Sequence, residues 1–362
     1  MKEQSAAPAS KAAAVGASRH ASLTPAAGAV LLSIALAVAV KAAAAPDTGR
    51  TREYRYLMGT SIEVEAYGGT DAIRRAAIDE AFKAFIEIDR LMSNYRDDSE
   101  LSLINRGAAQ GPVRVSDPML VVLAAAQRMS TASHGAFDIT VGPLLRLWGF
   151  HDKKPHLPTD SELAAVRPLV DYRHLQVDEA AHSVRFARSG VELDLGGIAK
   201  GFAVEVAANT LRQRALAGFI DAGGNQYLLG TPPGKHTWTV GIKDPDHPTR
   251  LLGVIDTTET SVSTSADYAT FVEINGRKFG HVLDPHTLYP SAAALSVTIL
   301  SRDGTMADAM SKAVFILGPS AGLTLVDSLP GMSAVIAYRR PDGTVALAIS
   351  PRLRPVFHPI AS

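Results

Sequence analysis

Helices and strands mixed in one globular chain are what the residue pattern predicts, and three stretches carry that prediction. Tyr54 to Tyr67 alternates, with Ile62, Val64 and Ala66 on one side, and reads as strand. Met58-Gly59-Thr60 interrupts it with a bulge or a close backbone approach. Thr70 or Asp71 caps a long helix whose apolar stripe runs through Ile78, Phe82, Phe85, Ile88, Leu91 and Met92. Further on, Asn275-Gly276 stands between two strand-like runs, 270–273 and 278–282, and signals a hairpin.

The 362 residues suffice for one large domain or two ordinary ones. Hydrophobic residues make up 46% and charged residues 20%, the balance of a globular protein rather than a disordered one. The 36 basic and 36 acidic residues cancel, and no long basic run offers a surface for a nucleic-acid backbone. The absence of cysteine excludes disulfides, thiolate metal sites, cysteine nucleophiles and lipid attached through cysteine. Residues 1–45 read as a signal peptide or a membrane-targeting segment. Lys2, Lys11, Arg19 and His20 give a positive start, Ala27 to Val40 is an apolar run, and Ala42 to Ala45 supply small residues for cleavage. That run is shorter than the roughly 20 apolar residues a membrane span needs. Export to the periplasm is expected, with a retained inner-membrane anchor as the alternative, since Lys41 interrupts the segment before the cleavage site.

The remaining elements follow in order. Ser93 to Asp98 is a polar loop whose Tyr95 is read either as surface packing or as a stack for a planar ring. Ser116-Asp117-Pro118 starts a helix that runs through Leu120, Leu123, Ala124 and Gln127 and stops before Gly135. Asp138 then stands between Phe137 and Ile139. A carboxylate in that setting either caps the following turn or contacts a ligand. His151 to Thr159 reads as a linker, and Thr159 with Glu162 as a capping box for a short helix to Arg167. His174 to Asp178 and Ser183 to Ala187 read as a hairpin, and Gly218 to Ala222 as a strand running into the pair Gly223-Gly224. Thr237 to Ile242 and Val297 to Leu300 are further strands. His281 to Pro285 closes a strand, with His281 read as a general base or a structural donor. Thr305 caps a last helix on which Asp308 and Lys312, at i and i+4, share a face, in the simplest reading as an ion pair.

One stretch organises the rest. In Val191 to Glu205, Val191, Leu193 and Leu195 alternate with Glu192 and Asp194 as a strand, Gly196-Gly197 turn, and an amphipathic helix follows. The first N–H groups of that helix point outward, and Lys200 lies one turn in. This is either an anion site suited to phosphate or an ordinary strand-to-helix turn. The spacing is neither a Walker A loop nor GxGxxG.

Taken in order, Met58-Gly59-Thr60, Ser93 to Glu100, GAFDITVGPL (135–144), LDLGGIAKGFAVE (193–205), DAGGN (221–225), STSADY (263–268), HVLDP (281–285) and ADAMSKAVFILG (307–318) resemble the FAD:protein FMN transferases, the ApbE family. The resemblance implies a flavin transferase domain over residues 53–350. It implies an α+β fold of the tunnelling-fold type with mixed or antiparallel sheets and packed helices, FAD in a cleft, and Mg²⁺ at its pyrophosphate. Carried over residue by residue, Met58, Tyr95, Ala136, Phe137, Asp138, Asp194, Lys200 and Val282 match FAD-contacting positions. The family's metal positions correspond to the carbonyl of Gly197, the carboxylate of Asp308 and a side chain or water near 311 and 312, which puts Lys312 on a metal position. His281 and Asp308 become the candidate catalytic proton acceptors.

The implied reaction moves FMN from FAD to a Thr or Ser hydroxyl of an exported flavoprotein and releases AMP. Such a displacement at phosphorus needs positioning and charge neutralisation above all. Mg²⁺ would supply part of the charge, and the helix start with Lys200 the rest. Two other readings use the same scaffold: a hydrolase giving FMN and AMP, and a non-catalytic FAD-binding protein. The chain also departs from the family pattern. Lys312 stands where a small or hydroxyl residue is common, and a charged lysine cannot ligate a cation. PHTLYP (285–290) replaces PRTGYP, placing His286 and Leu288 in that loop, and Ala266 replaces glycine.

Overall fold

The computed structural model describes residues 49–152, 154–266 and 271–360. The expected signal peptide (1–45), Asp267 and Tyr268 of the STSADY stretch, and Thr270 of the expected hairpin lie outside them. The framework is an open sheet of eight strands: Arg50–Leu57, Thr60–Tyr67, Ala217–Ala222, Asn225–Leu229, Thr260–Ala266, Ser296–Ser301, Ser333–Arg339 and Val345–Ile349. Their spatial order is their chain order, and every neighbouring pair is antiparallel. The sheet is thus a meander carrying long insertions, and the fold is α+β as expected.

The pleat sends alternate residues to two different partners. On one face, Ile62, Val64, Ile220, Tyr227, Val297, Ile299 and Ile336 pack with the helices Asp71–Met92, Asp117–Ala132, Ala199–Arg212 and Gly304–Ser328. On the other, Leu228, Val262, Leu300 and Val335 meet Val240, Ile242 and Ile255. These last belong to a small sheet formed by Trp238–Lys243, Leu251–Thr257 and Phe357–Pro359. Sheet, helices and small sheet form three layers, and the central strand Ser296–Ser301 is buried along its whole length.

Local sequence chemistry sets most boundaries. The Thr70 side chain accepts from the Ile73 N–H at 3.3 Å and starts the first long helix, whose expected stripe is buried. Thr159 and Glu162 make both bonds of the capping box, and Asn275-Gly276 turns the hairpin of Phe271–Ile274 with Arg277–Gly280.

Four expectations need correction. Met58-Gly59 is a hairpin turn, not a bulge: both residues have positive φ (51° and 73°), and Leu57 pairs with Thr60 across it. Val191 to Leu195 is extended but lies in no ladder. Its backbone is satisfied by Asn105, whose Nδ2 donates to the Leu193 carbonyl at 3.0 Å and whose Oδ1 accepts the Leu193 N–H at 2.8 Å. The segment 139–142 runs on its other side, where Ile139 O accepts from Asp194 N at 2.7 Å. The strand before His281 ends at Gly280. The last helix is capped by Asp303, whose Oδ1 accepts the Met306 N–H at 2.8 Å, rather than by Thr305. That helix is broken at Gly318 (φ 73°), followed by Pro319, as a glycine C-terminal stop next to a proline requires.

A third apolar cluster underlies the 283–290 loop: Leu144, Trp148, Leu163, Leu283 and Leu288. The Trp148 indole N–H donates to the Leu288 carbonyl at 3.0 Å. Leu288, at the position where the resembled pattern has glycine, holds φ at 66°, and its side chain is fully buried. A left-handed residue with a β-carbon costs about 1–2 kcal/mol. Truncating a buried leucine costs about 2–5 kcal/mol. Packing therefore outweighs strain, and Leu288→Gly should destabilise the protein by about 2 kcal/mol net in urea unfolding. A variant more stable than wild type would show the strain to dominate.

Candidate functional site

Two helices cross with almost no separation at Gly201 and Gly304. A β-carbon on Gly201 would stand 2.2 Å from the Gly304 carbonyl oxygen and 2.4 Å from the Asp308 β-carbon, so only glycine permits the approach. Each helix then caps the other. The Ala199–Arg212 helix has no side-chain cap of its own; its Gly201 N–H donates to Asp308 Oδ2 at 2.8 Å. In return, Glu205 Oε2 accepts from the N–H groups of Gly304 and Thr305, at 2.9 and 3.2 Å, at the start of the other helix. Carboxylates at two helix N-termini are favourable on hydrogen-bonding and dipole grounds alike.

This crossing fixes the surroundings of Asp308, which is fully buried. Its Oδ1 takes an ion pair and hydrogen bond from the Lys312 ammonium, so the i, i+4 pair is present. The Lys312 stem leans over the Gly196-Gly197 turn: its Cγ and Cδ would lie 3.7 and 3.9 Å from a β-carbon at Gly197, and Phe137 Cε2 at 3.3 Å. Burial pushes the Lys312 ammonium below the usual lysine range; Asp308 opposes that shift and the like charge of Lys200 adds to it. Phe137, Gly197, Lys200, Asp308 and Lys312 thus gather from three distant segments.

At the helix start only some of the N–H groups are taken by the protein. Gly196 N–H donates to Asp194 Oδ1 at 2.8 Å, Ile198 and Ala199 donate to the Leu195 carbonyl at 3.0 and 2.8 Å, and Gly201 serves Asp308. The positive character of the turn rests on the two lysines together with the Gly197 and Lys200 N–H groups, for which no protein acceptor is present among the described residues.

The implied Mg²⁺ does not fit these residues as they stand. The ion wants oxygen ligands in a near-octahedral set. Here one Asp308 oxygen holds an ammonium and the other an amide N–H. Ser311 Oγ donates to the Asp308 carbonyl and lies 2.8 Å from Ser265 Oγ, within a buried set that includes Ser263 and Asn225. Among the described residues no three His, Cys, Asp or Glu side chains share a metal-sized space. Lys312 as a metal residue is therefore corrected: it is the counter-ion of Asp308. Each Asp308 oxygen thus already holds a structural partner, the Lys312 ammonium or the Gly201 N–H.

Asp194 anchors the other side of the turn. Asn94 Nδ2 donates to its Oδ2 at 2.6 Å, and His151 Nε2 lies 3.0 Å from the same oxygen. Burial alone would raise this carboxyl, but His151, the Gly196 amide and Asn94 outweigh it and hold the group below the usual range. Tyr95, well exposed, packs edge-on against His151 with ring centroids 6.2 Å apart. Asn94 and His151 were not singled out in the sequence. Both lie in aperiodic polar stretches, and only their meeting at Asp194 reveals them.

The other expected positions are distributed around this centre. Met58 is at a hairpin tip, and Thr60 beside it packs on Gly223 of the neighbouring tip. Val282 is buried in the main core, with its carbonyl accepting from Ser291 N at 2.9 Å; His281 precedes it, half-buried. Ala136 is fully buried. His286 bridges its loop to the His134 carbonyl at 3.1 Å, so this departure from the family pattern has a structural use.

Asp138 makes the turn: its Oδ1 accepts both the N–H and the hydroxyl of Thr140 at 2.7 Å. Burial, only partly offset by Thr140 and the Tyr172 N–H, pushes its carboxyl from 3.8 to about 6. A carboxyl raised on folding contributes stability at low pH that is lost as pH rises through the interval from 3.8 to about 6. The loss is on the order of 3 kcal/mol. Asn can accept the same two bonds without ionising. Asp138→Asn should therefore gain on wild type in thermal unfolding as pH is raised from about 4 to about 7. A difference independent of pH would mean that Asp138 titrates at its ordinary value.

Comparison with known proteins identifies the family. The model of the ApbE family matches residues 58–336. The chain is 32% identical to the FAD:protein FMN transferase of Treponema pallidum (strain Nichols), over 82% of this chain and 87% of that protein. It is 31% identical to one from Klebsiella pneumoniae (strain 342), over 86% and 96%. Among solved structures, the ApbE protein of Thermotoga maritima superposes with a TM-score of 0.77 at 28% identity, covering 85% of this chain and 99% of that one. The flavin transferase ApbE of Vibrio cholerae gives 0.76 at 27%, with the same coverage. With the family model over most of the chain, these relatives and the shared α+β framework, this chain belongs to the ApbE family.

Proposed function

We propose that this chain is an FAD:protein FMN transferase, with residues 53–350 as its catalytic unit and an exported flavoprotein as acceptor. One observation carries the reading in the structure: Phe137, Lys200 and Lys312 converge on the Gly197 turn, an apolar ring beside two ammonium groups. That combination suits a ligand that is part aromatic and part diphosphate. The names of the relatives supply the reaction. The composition of residues 1–45 supports export to the periplasm, with an inner-membrane anchor as the alternative.

In the step itself, the hydroxyl oxygen of an acceptor Thr or Ser attacks the phosphorus on the riboflavin side of the diphosphate. A new P–O bond forms as the bond from that phosphorus to the bridging oxygen breaks. AMP leaves with the electron pair, and the hydroxyl proton passes to a base. Lys200 and Lys312 offset charge on the diphosphate, and Tyr95 stands at the rim for the ring system. With Asp308 engaged on both oxygens, His281 is the better proton acceptor. The resemblance also implies dependence on Mg²⁺; since the donor set does not fit the ion, no step is assigned to it.

The test incubates the full chain with FAD, excess Mg²⁺ and an exported flavoprotein acceptor, and follows covalent flavin on the acceptor together with AMP. The two should appear in equal amounts. FMN and AMP without labelled acceptor would make the protein a hydrolase, and bound FAD with neither product would make it a binding protein. His281→Ala should slow transfer by about 10²–10⁴-fold while FAD still quenches on binding. An unchanged rate would remove His281 from the reaction.

A further inference from the structure

Lys312 is one of the departures from the pattern that the resemblance implies, and the structure gives it a defined place. Its ammonium sits on Asp308 Oδ1, its stem covers Gly197, and its neighbour in charge is Lys200. Asp308 is fully buried and the Lys312 side chain is 16% exposed, so the pair sits at the edge of the protein interior with the ammonium as its outer member. An ammonium has three donors. One is used on Asp308, and the pair leaves two for oxygens presented from the Gly197 side. Lys312 offsets Asp308, and Lys200 is the second ammonium of the cluster, opposite the Asp194 carboxylate across the turn.

We propose that the Lys312 ammonium stands in for a divalent cation on Asp308, so that this chain holds its flavin diphosphate with Lys312 and Lys200 and without a metal. The inference rests on the FAD reading above and deepens it by naming the groups that neutralise the diphosphate. Two features support it. A dication placed at Asp308 would meet the Lys312 ammonium within a few ångströms, a like-charge contact that the interior strengthens. Also, the remaining Asp308 oxygen already accepts the Gly201 N–H, so an ion there would have to share it with the helix cap.

The experiment uses Mn²⁺ alone as a paramagnetic probe of cation binding, and flavin fluorescence quenching as the measure of FAD binding. Both are applied to the full chain, to Lys312→Thr and to Lys312→Arg. Wild type should leave Mn²⁺ free, and its FAD affinity should differ by less than about twofold between EDTA and excess Mg²⁺. Lys312→Thr, which frees the carboxylate and adds a hydroxyl, should bind Mn²⁺ saturably. Its FAD affinity should fall on the order of tenfold in EDTA and recover with Mg²⁺. Lys312→Arg should behave as wild type in the Mn²⁺ measurement. Saturable Mn²⁺ binding by wild type, or a wild-type FAD affinity that collapses in EDTA, overturns the proposal while leaving the FAD reading intact. No FAD binding in either medium overturns the flavin reading and the proposal with it. The wild-type measurements decide the matter on their own if Lys312→Thr does not fold.

Discussion

The reciprocal capping of two helices is the constraint on which the site depends. Asp308 closes the start of the Ala199–Arg212 helix, and Glu205 closes the start of the Gly304–Ser328 helix. The contact is affordable only because glycines face each other at 201 and 304, which lets the backbones approach. A buried carboxylate normally demands a partner. Here each finds one in the unpaired amides that every helix start leaves over. The same geometry then dictates where Lys312 can go. Its carboxylate partner is already held by the Gly201 amide, so the ammonium is drawn over the Gly197 turn.

A second consequence concerns how the turn is held. Gly196 and Gly197 are clamped between two carboxylates with different partners: Asp194, fed by His151, Asn94 and the Gly196 amide, and Asp308, fed by Gly201 and Lys312. Neither carboxylate is left open. The positive charge presented at the turn comes from lysine side chains as well as from helix amides. A phosphate held by side-chain ammoniums is held by point charges on flexible stems, which tolerate movement better than a rigid backbone cradle.

The departures from the family pattern are built into the fold rather than added to it. Leu288 accepts a left-handed backbone because its side chain completes the cluster around Trp148. His286 ties the same loop to the carbonyl of His134, and Arg167 holds the His286 carbonyl at 3.0 Å. The loop after Asp284 is therefore fastened at three points where a glycine-bearing version would have fewer side chains to use.

The sequence by itself determined what local chemistry decides. Caps at Thr70, Ser116 and Thr159, the turn at Asn275-Gly276, the buried stripe of the first helix and the Asp308–Lys312 pair all follow from neighbours within a few residues. The ordered blocks likewise pointed to the ApbE family. Tertiary structure decided what depends on partners far along the chain. Val191 to Leu195 has the alternation of a strand, yet Asn105 and the 139–142 segment satisfy it without a ladder. Asp194 had no visible partner until folding delivered His151 and Asn94 from segments with no periodic signal. Asp308 carries the residue type of a metal ligand, but only the crossing at Gly201 and Gly304 shows both of its oxygens already taken. Residue type states what a group can bind; the partners that folding brings to it decide what remains free to bind.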